Sequence, residues 1–254
     1  MKQLLAQIVG WLFPKQKKLD LSYSKVRTYS ECPYRYYLVY VKRFRSPPTA
    51  HSSLGHSIHK ALELYHAHKG SSWDDLLQAY DDGWEHEGYA DAGESMEFYQ
   101  RGEEILKKYF DNEKESKSDI LYTEKDFRID LGFCFLRGVI DRVDRLQDGR
   151  IELIDYKTNK KIIKKKVLKN DLQLTVYNFA CREELNLKPD ILTYYFLSHG
   201  RKISAVRTRT DEKKLFKILK DTSKKINKKK FKASTRFCWK CDFKGRCEYA
   251  DKKD

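Results

Sequence analysis

Long apolar stretches are absent from this sequence of 254 residues, which argues against a membrane-embedded protein. Residues 4–13 are apolar, but a helix that spans a bilayer needs about 20 such residues. The segment also lacks a strongly basic start and a small-residue cleavage site, so we expect no signal peptide. Its apolar residues fall at helical spacing, which predicts a short amphipathic helix that docks on the protein, and we expect no membrane partner.

A disulfide framework and an internal repeat are missing as well. Six cysteines are too few, in a chain this long, for the framework of a small secreted domain, so we expect a reducing, cytoplasmic compartment. Cys134 and Cys181 lie in apolar surroundings and are predicted to be buried small side chains rather than ligands. With 40% apolar and 13% aromatic residues, the chain is predicted to fold around one substantial core.

Acidic residues are in deficit. The chain has 37 of them against 52 lysines and arginines, which gives a formal charge of +15. This excess favours a polyanionic partner, either a nucleic acid or an anionic membrane surface. A basic surface also serves solubility alone, so charge by itself does not identify the partner.

Four further cysteines lie towards the two ends of the chain. Cys32 lies in the segment ECPYRYYL, and a C-x2-C-x5-C cluster contains Cys238, Cys241 and Cys247. This spacing lets three thiolates converge on one ion or cluster, and Cys32 would complete the set and tie the two ends together. From the residues alone, a structural Zn²⁺ and an iron–sulfur cluster both fit.

Hydrophobic periodicity predicts an α/β or α+β core, with three antiparallel strands between helices. A dipeptide typical of hairpin turns, Asp148-Gly149, separates two of these strands. The predicted helices begin at Ser22 or Ser24 and continue towards Cys32, and then lie near residues 54–65, twice between residues 71 and 118, at about 171–185 and at about 211–227. The predicted strands are residues 127–131, 133–146, 151–157, 192–197 and 203–208.

Asp155 and Lys157 stand two residues apart on a predicted strand, so their side chains project from one face. A carboxylate beside an ammonium group can hold Mg²⁺ and position its attacking water, as phosphodiester hydrolysis requires. Oxygen ligands suit Mg²⁺ or Mn²⁺ better than zinc. The pattern D-x-K is common by chance, but Asp141 lies one hairpin upstream, where antiparallel pairing would bring its carboxylate beside Asp155. The following helix places Gln173 and Tyr177 on one face.

In this order, the motifs resemble those of the PD-(D/E)XK nucleases of the RecB type. The resemblance covers most of residues 22–250, least clearly residues 70–120, and rests on Gly55-x3-His59, Gly138-Val139-Ile140-Asp141, Asp155-Tyr156-Lys157 and Gln173-x3-Tyr177. The family's usual proline before the first aspartate is Ile140 here. The cysteine pattern is similar to that of the iron–sulfur branch, which includes AddB-type nuclease domains and CRISPR-associated RecB-like exonucleases.

The resemblance implies a restriction-endonuclease-like core, in which helices flank a mixed central sheet. An N-terminal segment at residues 1–20 would precede a nuclease domain at residues 21–254, with a helical insertion at about 70–120. The resemblance also implies DNA cleavage with Mg²⁺ or Mn²⁺. A 4Fe–4S cluster would clasp the two ends of the chain through Cys32, Cys238, Cys241 and Cys247.

The resemblance further assigns roles to single residues. Catalytic roles would fall on Asp141, Asp155, Lys157, Gln173 and Tyr177, and the metal ligands would be His59, Asp141, Asp155 and the backbone carbonyl of Tyr156. Lys157 would orient or deprotonate the water, and Gln173 and Tyr177 would support Lys157 or hold the DNA backbone. Without the motif, His59 would be interpreted as a surface or packing histidine, and the helix face of Gln173 as ordinary packing.

Basic runs follow the D-x-K strand and precede the cysteine cluster. Such runs are usually solvated faces, but beside a phosphate-cleaving site they are predicted to line a DNA path. The residues predicted to contact DNA are Arg35, Lys160, Lys161, Lys164, Lys165 and Lys166. A helicase or a CRISPR adaptation partner follows by family analogy only.

We therefore expect a metal-dependent deoxyribonuclease, an exonuclease that acts on single-stranded ends. Two other classes stay open. One is a DNA-binding scaffold that does not cleave, against which the intact Asp141, Asp155 and Lys157 argue. The other is a zinc-binding structural module with a coincidental D-x-K motif and an acidic protein as its target.

Overall fold

A computed structural model describes residues 18–250 of the protein, and the amphipathic helix expected at residues 4–13 lies outside the described residues. Six strands form one mixed sheet. Five of them are connected in the order β1-β3-β4-β5-β6, and the sixth, β2, pairs with β3. The strands are β1 (Leu19–Leu21), β2 (Asp119–Asp130), β3 (Cys134–Arg145), β4 (Ile151–Lys157), β5 (Ile191–Phe196) and β6 (Arg201–Ala205). β1 and β3 run parallel, as do β4 and β5, and the other pairs are antiparallel. The predicted α/β class with a mixed central sheet is confirmed.

Helices cover both faces of this sheet. They are α1 (Tyr23–Glu31), α2 (Pro33–Tyr36), α3 (Ala50–Ala67), α4 (Trp73–Asp82), α5 (Ala92–Glu113), α6 (Lys165–Leu168), α7 (Leu172–Glu184) and α8 (Arg209–Asn227). Several begin at the polar residues that favour a helix start: the Ser22 hydroxyl accepts from the amide of Lys25, and the Asp171 carboxylate accepts from that of Leu174. None of the helices in residues 18–250 combines the length and apolarity that crossing a bilayer requires.

The hairpin of β3 and β4 sets the register on which the rest depends. Arg142 pairs with Ile154 and Arg145 pairs with Ile151. Gly149 supplies the left-handed turn conformation between the strands, with φ of 82°. The antiparallel pairing expected around Asp148-Gly149 is therefore present.

Strand β4 is the wall between two hydrophobic cores. Leu153 packs into a core formed with α1, α7 and α8, whereas Ile154 and Tyr156 pack into a second core formed with α3, α4 and α5. The alternation of side chains along a strand produces this division. The second core contains the helices expected between residues 71 and 118, and it brings α3 against the sheet.

Three features differ from the sequence-based expectations. Strand β2 begins at Asp119 rather than at residue 127, and the short strand β1 places Leu19 and Asp20 in the sheet rather than in an N-terminal segment. Helix α6 was not expected. Long β2 is stabilised by pairing along most of β3, an interaction that the irregular polarity of residues 119–126 does not reveal.

Candidate active site

Asp141 and Asp155 meet where β3 and β4 lie side by side. The register that pairs Arg142 with Ile154 places Asp141 directly opposite Asp155. The Oδ2 atom of Asp141 accepts a hydrogen bond of 2.7 Å from the backbone amide of Tyr156. Both carboxylates are buried. The pairing of two interior strands thus holds two acidic side chains together on one face of the sheet.

The carboxylate of Asp155 lacks a full set of partners. The residue is 1% exposed, and Oδ2 lies 2.5 Å from Nζ of Lys157. Nevertheless, no donor within residues 18–250 reaches that oxygen in hydrogen-bonding geometry. Burial raises the pKa of Asp155 to about 7; the Lys157 charge opposes the rise and that of Asp141 adds to it. A buried, unsatisfied carboxylate oxygen of this kind fits a cation ligand.

His59 reaches the same place from helix α3. Its Nδ1 atom lies 3.8 Å from Oδ2 of Asp141. Burial alone would lower the pKa of His59, but the charges of Asp141 and Glu124 outweigh it and raise the pKa to about 9. Gly55, one turn earlier, allows α3 to approach the end of β4, since a Cβ there would lie 3.3 Å from Oγ1 of Thr158.

Glu124 completes this cluster, although sequence reasoning did not identify it. Its Oε1 atom lies 3.5 Å from Nδ1 of His59. Ligand atoms of His59, Glu124 and Asp141 all lie within 4.8 Å of one another. Glu124 has φ of 42°, a left-handed conformation that is strained for a residue with a side chain, and strain of this type is common at functional sites. Only the pairing of β2 with β3 reveals the proximity, because no motif spacing links Glu124 to Asp141.

Lys157 is held by contacts on several sides. Besides Asp155, its ammonium donates a hydrogen bond of 2.9 Å to Oε1 of Gln173. The amide nitrogen of Gln173 donates in turn to the hydroxyl of Tyr177, at 3.1 Å. The helix face that carries Gln173 and Tyr177 thus contacts the lysine, as the proposed supporting role requires.

Tyr194 on β5 is a second contact that sequence reasoning missed. The Nζ atom of Lys157 lies 4.3 Å from the centre of the Tyr194 ring, within the range of a cation–π interaction. The buried hydroxyl of Tyr194 donates to Oδ1 of Asp171 at 2.7 Å and approaches Oε1 of Gln173 at 3.2 Å. The ring therefore forms a floor beneath the ammonium, while the hydroxyl ties that floor to the start of α7.

Tyr156 is anchored on the opposite face of β4. Its hydroxyl lies 3.2 Å from that of Tyr109, which accepts a hydrogen bond of 2.8 Å from Nη1 of Arg142. The buried guanidinium of Arg142 also donates to Asp144. This network fixes the backbone of the residue between Asp155 and Lys157, whose carbonyl is expected to bind metal.

The four cysteines at the ends of the described chain line one cavity. Its walls include Cys32, Cys238, Cys241 and Cys247. The Sγ atom of Cys32 accepts from the backbone amides of Arg35 and Ser234, at 3.4 Å each. Cys134 and Cys181, by contrast, are fully buried in the core, as expected for small apolar side chains.

Polar contacts join α1 and α2 to the segment of residues 238–247, which contains three of the cysteines. The guanidinium of Arg35 donates to Asp242 at 2.6 Å, and Lys240 donates to Glu31 at 2.8 Å. Arg35, expected at the DNA, is therefore engaged in this clasp, and its DNA contact stays a prediction. The lysines of the loop after β4 and of the start of α6 are exposed, namely Lys160, Lys161, Lys164, Lys165 and Lys166.

Known proteins share this sequence pattern. Residues 20–248 match the PD-(D/E)XK nuclease superfamily. One subunit of the ATP-dependent helicase/deoxyribonuclease of Streptococcus mutans serotype c is 30% identical over 203 residues, which cover 73% of this chain and 18% of that protein. The subunit of the same name from Streptococcus equi subsp. zooepidemicus is 26% identical over 204 residues, with 72% and 18% covered. The chain thus spans less than a fifth of the length of these curated relatives.

A solved structure shares the fold. A candidate exonuclease from Eubacterium rectale superimposes with a TM-score of 0.56, covering 90% of this chain and 88% of its own. The two sequences are 12% identical, so the likeness concerns the fold alone.

Proposed function

Because the chain belongs to the PD-(D/E)XK nuclease superfamily, we propose that it hydrolyses phosphodiester bonds in DNA with the help of a divalent metal. We further propose that it acts as an exonuclease on single-stranded ends. The observation that carries the proposal is the buried Asp155 carboxylate, which lies opposite Asp141 and 2.5 Å from the ammonium of Lys157. A scaffold that had lost catalysis would have no need of this convergence.

The donor set fits Mg²⁺ or Mn²⁺. The proposed ligands are His59, Asp141, Asp155 and the carbonyl of Tyr156, and Glu124 lies close enough to join them. Carboxylate and carbonyl oxygens dominate the set, as these hard cations prefer. When bound, the metal supplies polarisation of the phosphate and a more acidic water. Burial raises the pKa values of Asp141 and Asp155, because the nearby positive side chains do not fully compensate for the loss of solvent around the two carboxylates.

The remaining chemistry belongs to the chain itself. Lys157 would orient the attacking water and stabilise charge that develops on the phosphate, through the ammonium that Gln173 and Tyr194 hold in place. Asp141 fixes the backbone of Tyr156 through its hydrogen bond, so β4 holds Asp155, the Tyr156 carbonyl and Lys157 in one arrangement. Such preorganisation reduces the rearrangement that the transition state demands.

We also propose a 4Fe–4S cluster on Cys32, Cys238, Cys241 and Cys247. These thiols line one cavity, and two backbone amides point at the sulfur of Cys32, a type of contact that tunes cluster properties. A zinc site would draw four sulfurs to one ion with bonds of about 2.3 Å. Four thiols around one cavity also meet this requirement, so the choice of a cluster rests on the likeness of the cysteine pattern to that of the iron–sulfur branch.

The exposed lysines after β4 are proposed to line the DNA path. They follow Lys157 directly in the chain, so a strand that enters the site passes near Lys160 and Lys164. The relatives, which are named as parts of a helicase/deoxyribonuclease, support a helicase partner for this chain. We propose a cytoplasmic location, because a DNA nuclease acts where DNA is present.

A nuclease assay tests the proposed function. Purified protein would be incubated with Mg²⁺ or Mn²⁺ and with single-stranded, blunt and tailed DNA labelled at either end. We expect metal-dependent release of short products from single-stranded ends, stopped by EDTA. Cleavage that is confined to internal positions of circular DNA would overturn the exonuclease assignment. Binding of all substrates without cleavage would favour the scaffold.

Tyr194 is predicted to position Lys157. Tyr194→Phe keeps the ring and removes the hydroxyl that contacts Asp171 and Gln173, so we expect kcat to fall roughly fivefold. Tyr194→Leu also removes the cation–π contact, and we expect a loss on the order of 100-fold. KM for DNA and the Mn²⁺ concentration at half-maximal rate should change little, since neither Tyr194 nor Lys157 is a proposed metal ligand.

Tyr195→Leu is the matched control for this prediction. Tyr195 is the next residue of β5, is equally buried, faces the other core and also lies beneath a lysine, Lys202, at 5.0 Å. If both leucine variants lose kcat and thermal stability to the same extent, Tyr194 has only a structural role.

A further inference from the structure

Helix α8 presents an exposed face of lysines. Between residues 209 and 230 the chain has ten basic residues against three acidic ones, which is +7 of the formal +15. The exposed lysines of the helix are Lys213, Lys214, Lys217, Lys220, Lys224 and Lys225. None of them forms an ion pair with any residue from 18 to 250. Elsewhere on the helices, Lys60 and Lys107 pair with nearby acids.

The arrangement of these lysines is unfavourable for the helix itself. Lys213, Lys217, Lys220 and Lys224 are spaced four, three and four residues apart, so they follow one side of α8. Like charges at this spacing repel each other and destabilise a helix. A polyanion along this side would remove that repulsion.

The apolar residues of α8 lie away from this row. Leu215 and Ile226 are buried in the core, and Phe216 packs against Phe179 of α7 at 5.0 Å between ring centres. Ile218 is exposed, but at 3.6 residues per turn it lies about a third of a turn from the row of lysines. The row of Lys213, Lys217, Lys220 and Lys224 therefore lacks the large apolar side chains that an amphipathic helix inserts into a membrane surface, and the exposed rings on which unpaired bases stack. A face of ammonium groups alone suits a regular phosphate backbone.

We infer that the lysine face of α8 binds the phosphate backbone of the duplex arm of a DNA whose end enters the active site. This inference rests on the proposed nuclease function. From Lys213 to Lys224 the rise is about 16 Å, which spans roughly five phosphates of one strand at 3.4 Å each. Helix α7 contacts α8 and also carries Gln173, which contacts Lys157, so one helix connects the lysine face to the proposed active site.

The experiment replaces Lys213, Lys217, Lys220 and Lys224 together by glutamine. These residues are exposed and glutamine has similar helix propensity, so folding should be retained, as circular dichroism and the Tm would verify. Binding would be measured in EDTA by fluorescence anisotropy, with a duplex that carries a single-stranded tail and with the tail alone. We expect at least a tenfold loss of affinity for the tailed duplex, a salt slope smaller by about 3, and unchanged affinity for the tail.

Two further variants make the result specific. Lys107, Lys108, Lys114 and Lys117 replaced by glutamine change the net charge equally on another surface and should leave both affinities unchanged. Lys164, Lys165 and Lys166 replaced by glutamine, in the proposed strand path, should weaken both probes. Equal losses on duplex and tail for the α8 variant, or no loss on either, would overturn the inference.

Two further measurements, of binding to lipid vesicles and of DNA cleavage, separate the remaining outcomes. If the α8 variant loses binding to phosphatidylserine vesicles but not to DNA, the face is a membrane surface and the inference is wrong. If the α8 variant cleaves tailed duplex as fast as the wild type at low DNA concentration, the inference is also wrong. Conversely, α8-dependent duplex binding by a protein that cleaves no DNA would refute the proposed nuclease function alone.

Discussion

Replacing Asp155 by alanine is expected to reduce metal-dependent DNA cleavage by at least about 1,000-fold while DNA affinity stays nearly constant. The residue is 1% exposed and its carboxylate contacts Lys157, so its removal takes a buried charge from the site and leaves the lysine without this partner. Asp141→Ala and Lys157→Ala should have comparable effects. Single-turnover cleavage at saturating Mg²⁺, together with anisotropy in EDTA, separates the chemical step from binding.

Glu152→Gln is the matched control. Glu152 is also a buried carboxylate of β4, but it faces away from Asp155 and accepts from the hydroxyl of Thr193 at 2.5 Å. This variant should retain cleavage. Wild-type rates for Asp155→Ala under Mg²⁺ would instead show that the site has been assigned wrongly.

The same aspartate provides a readout that does not depend on cleavage. Burial raises the pKa of Asp155 from 3.8 to about 7, so the metal-free fold loses stability as the pH rises between these values. Asp155→Asn removes the buried charge, and its Tm in EDTA above pH 7 is expected to equal or exceed that of the wild type. Added Mn²⁺ should raise the Tm of the wild type more than that of this variant.

Replacing Cys32 by serine is expected to abolish the brown colour and the iron of anaerobically purified protein, which otherwise should contain about four irons per chain. A cross-link from Cys32 to Cys238 closes most of the chain into one loop. In the chain-entropy description, such a closure contributes on the order of 5 kcal/mol. We therefore expect a large fall in the Tm, and Cys247→Ser should behave in the same way.

Cys134→Ala and Cys181→Ala are the controls, because both thiols are buried in the core, away from the cysteine cavity. They should keep iron and colour despite some loss of packing. If strictly anaerobic preparation yields stoichiometric zinc and no iron, the four cysteines form a zinc site and the proposed cluster is wrong.

Much of the architecture follows from local patterns. Helices α3, α7 and α8 lie close to where periodicity predicted them, and Asp148-Gly149 set the hairpin that puts Asp141 opposite Asp155. A separation of two residues along a strand is also enough to place Asp155 and Lys157 on one face. These relations depend on counting along one or two adjacent elements, which the sequence contains in full.

Glu124 and Tyr194 could not be found in this way. Glu124 enters the site only because β2 pairs with β3 and adopts a left-handed conformation opposite Asp141. Tyr194 reaches Lys157 only because β5 lies parallel to β4, with Asp155 paired to Tyr194. Both contacts arise from pairing between strands that are distant in the chain, for which residue spacing holds no signal.

The position of β4 between two cores has a consequence for how the protein tolerates change. Since Leu153 belongs to one core and Ile154 and Tyr156 to the other, displacement of either helical layer strains the strand that holds Asp155 and Lys157. His59, carried by the layer of α3 to α5, must meet carboxylates that the sheet provides. The proposed active site thus depends on both helical layers, and packing defects in either layer would displace the residues that form it.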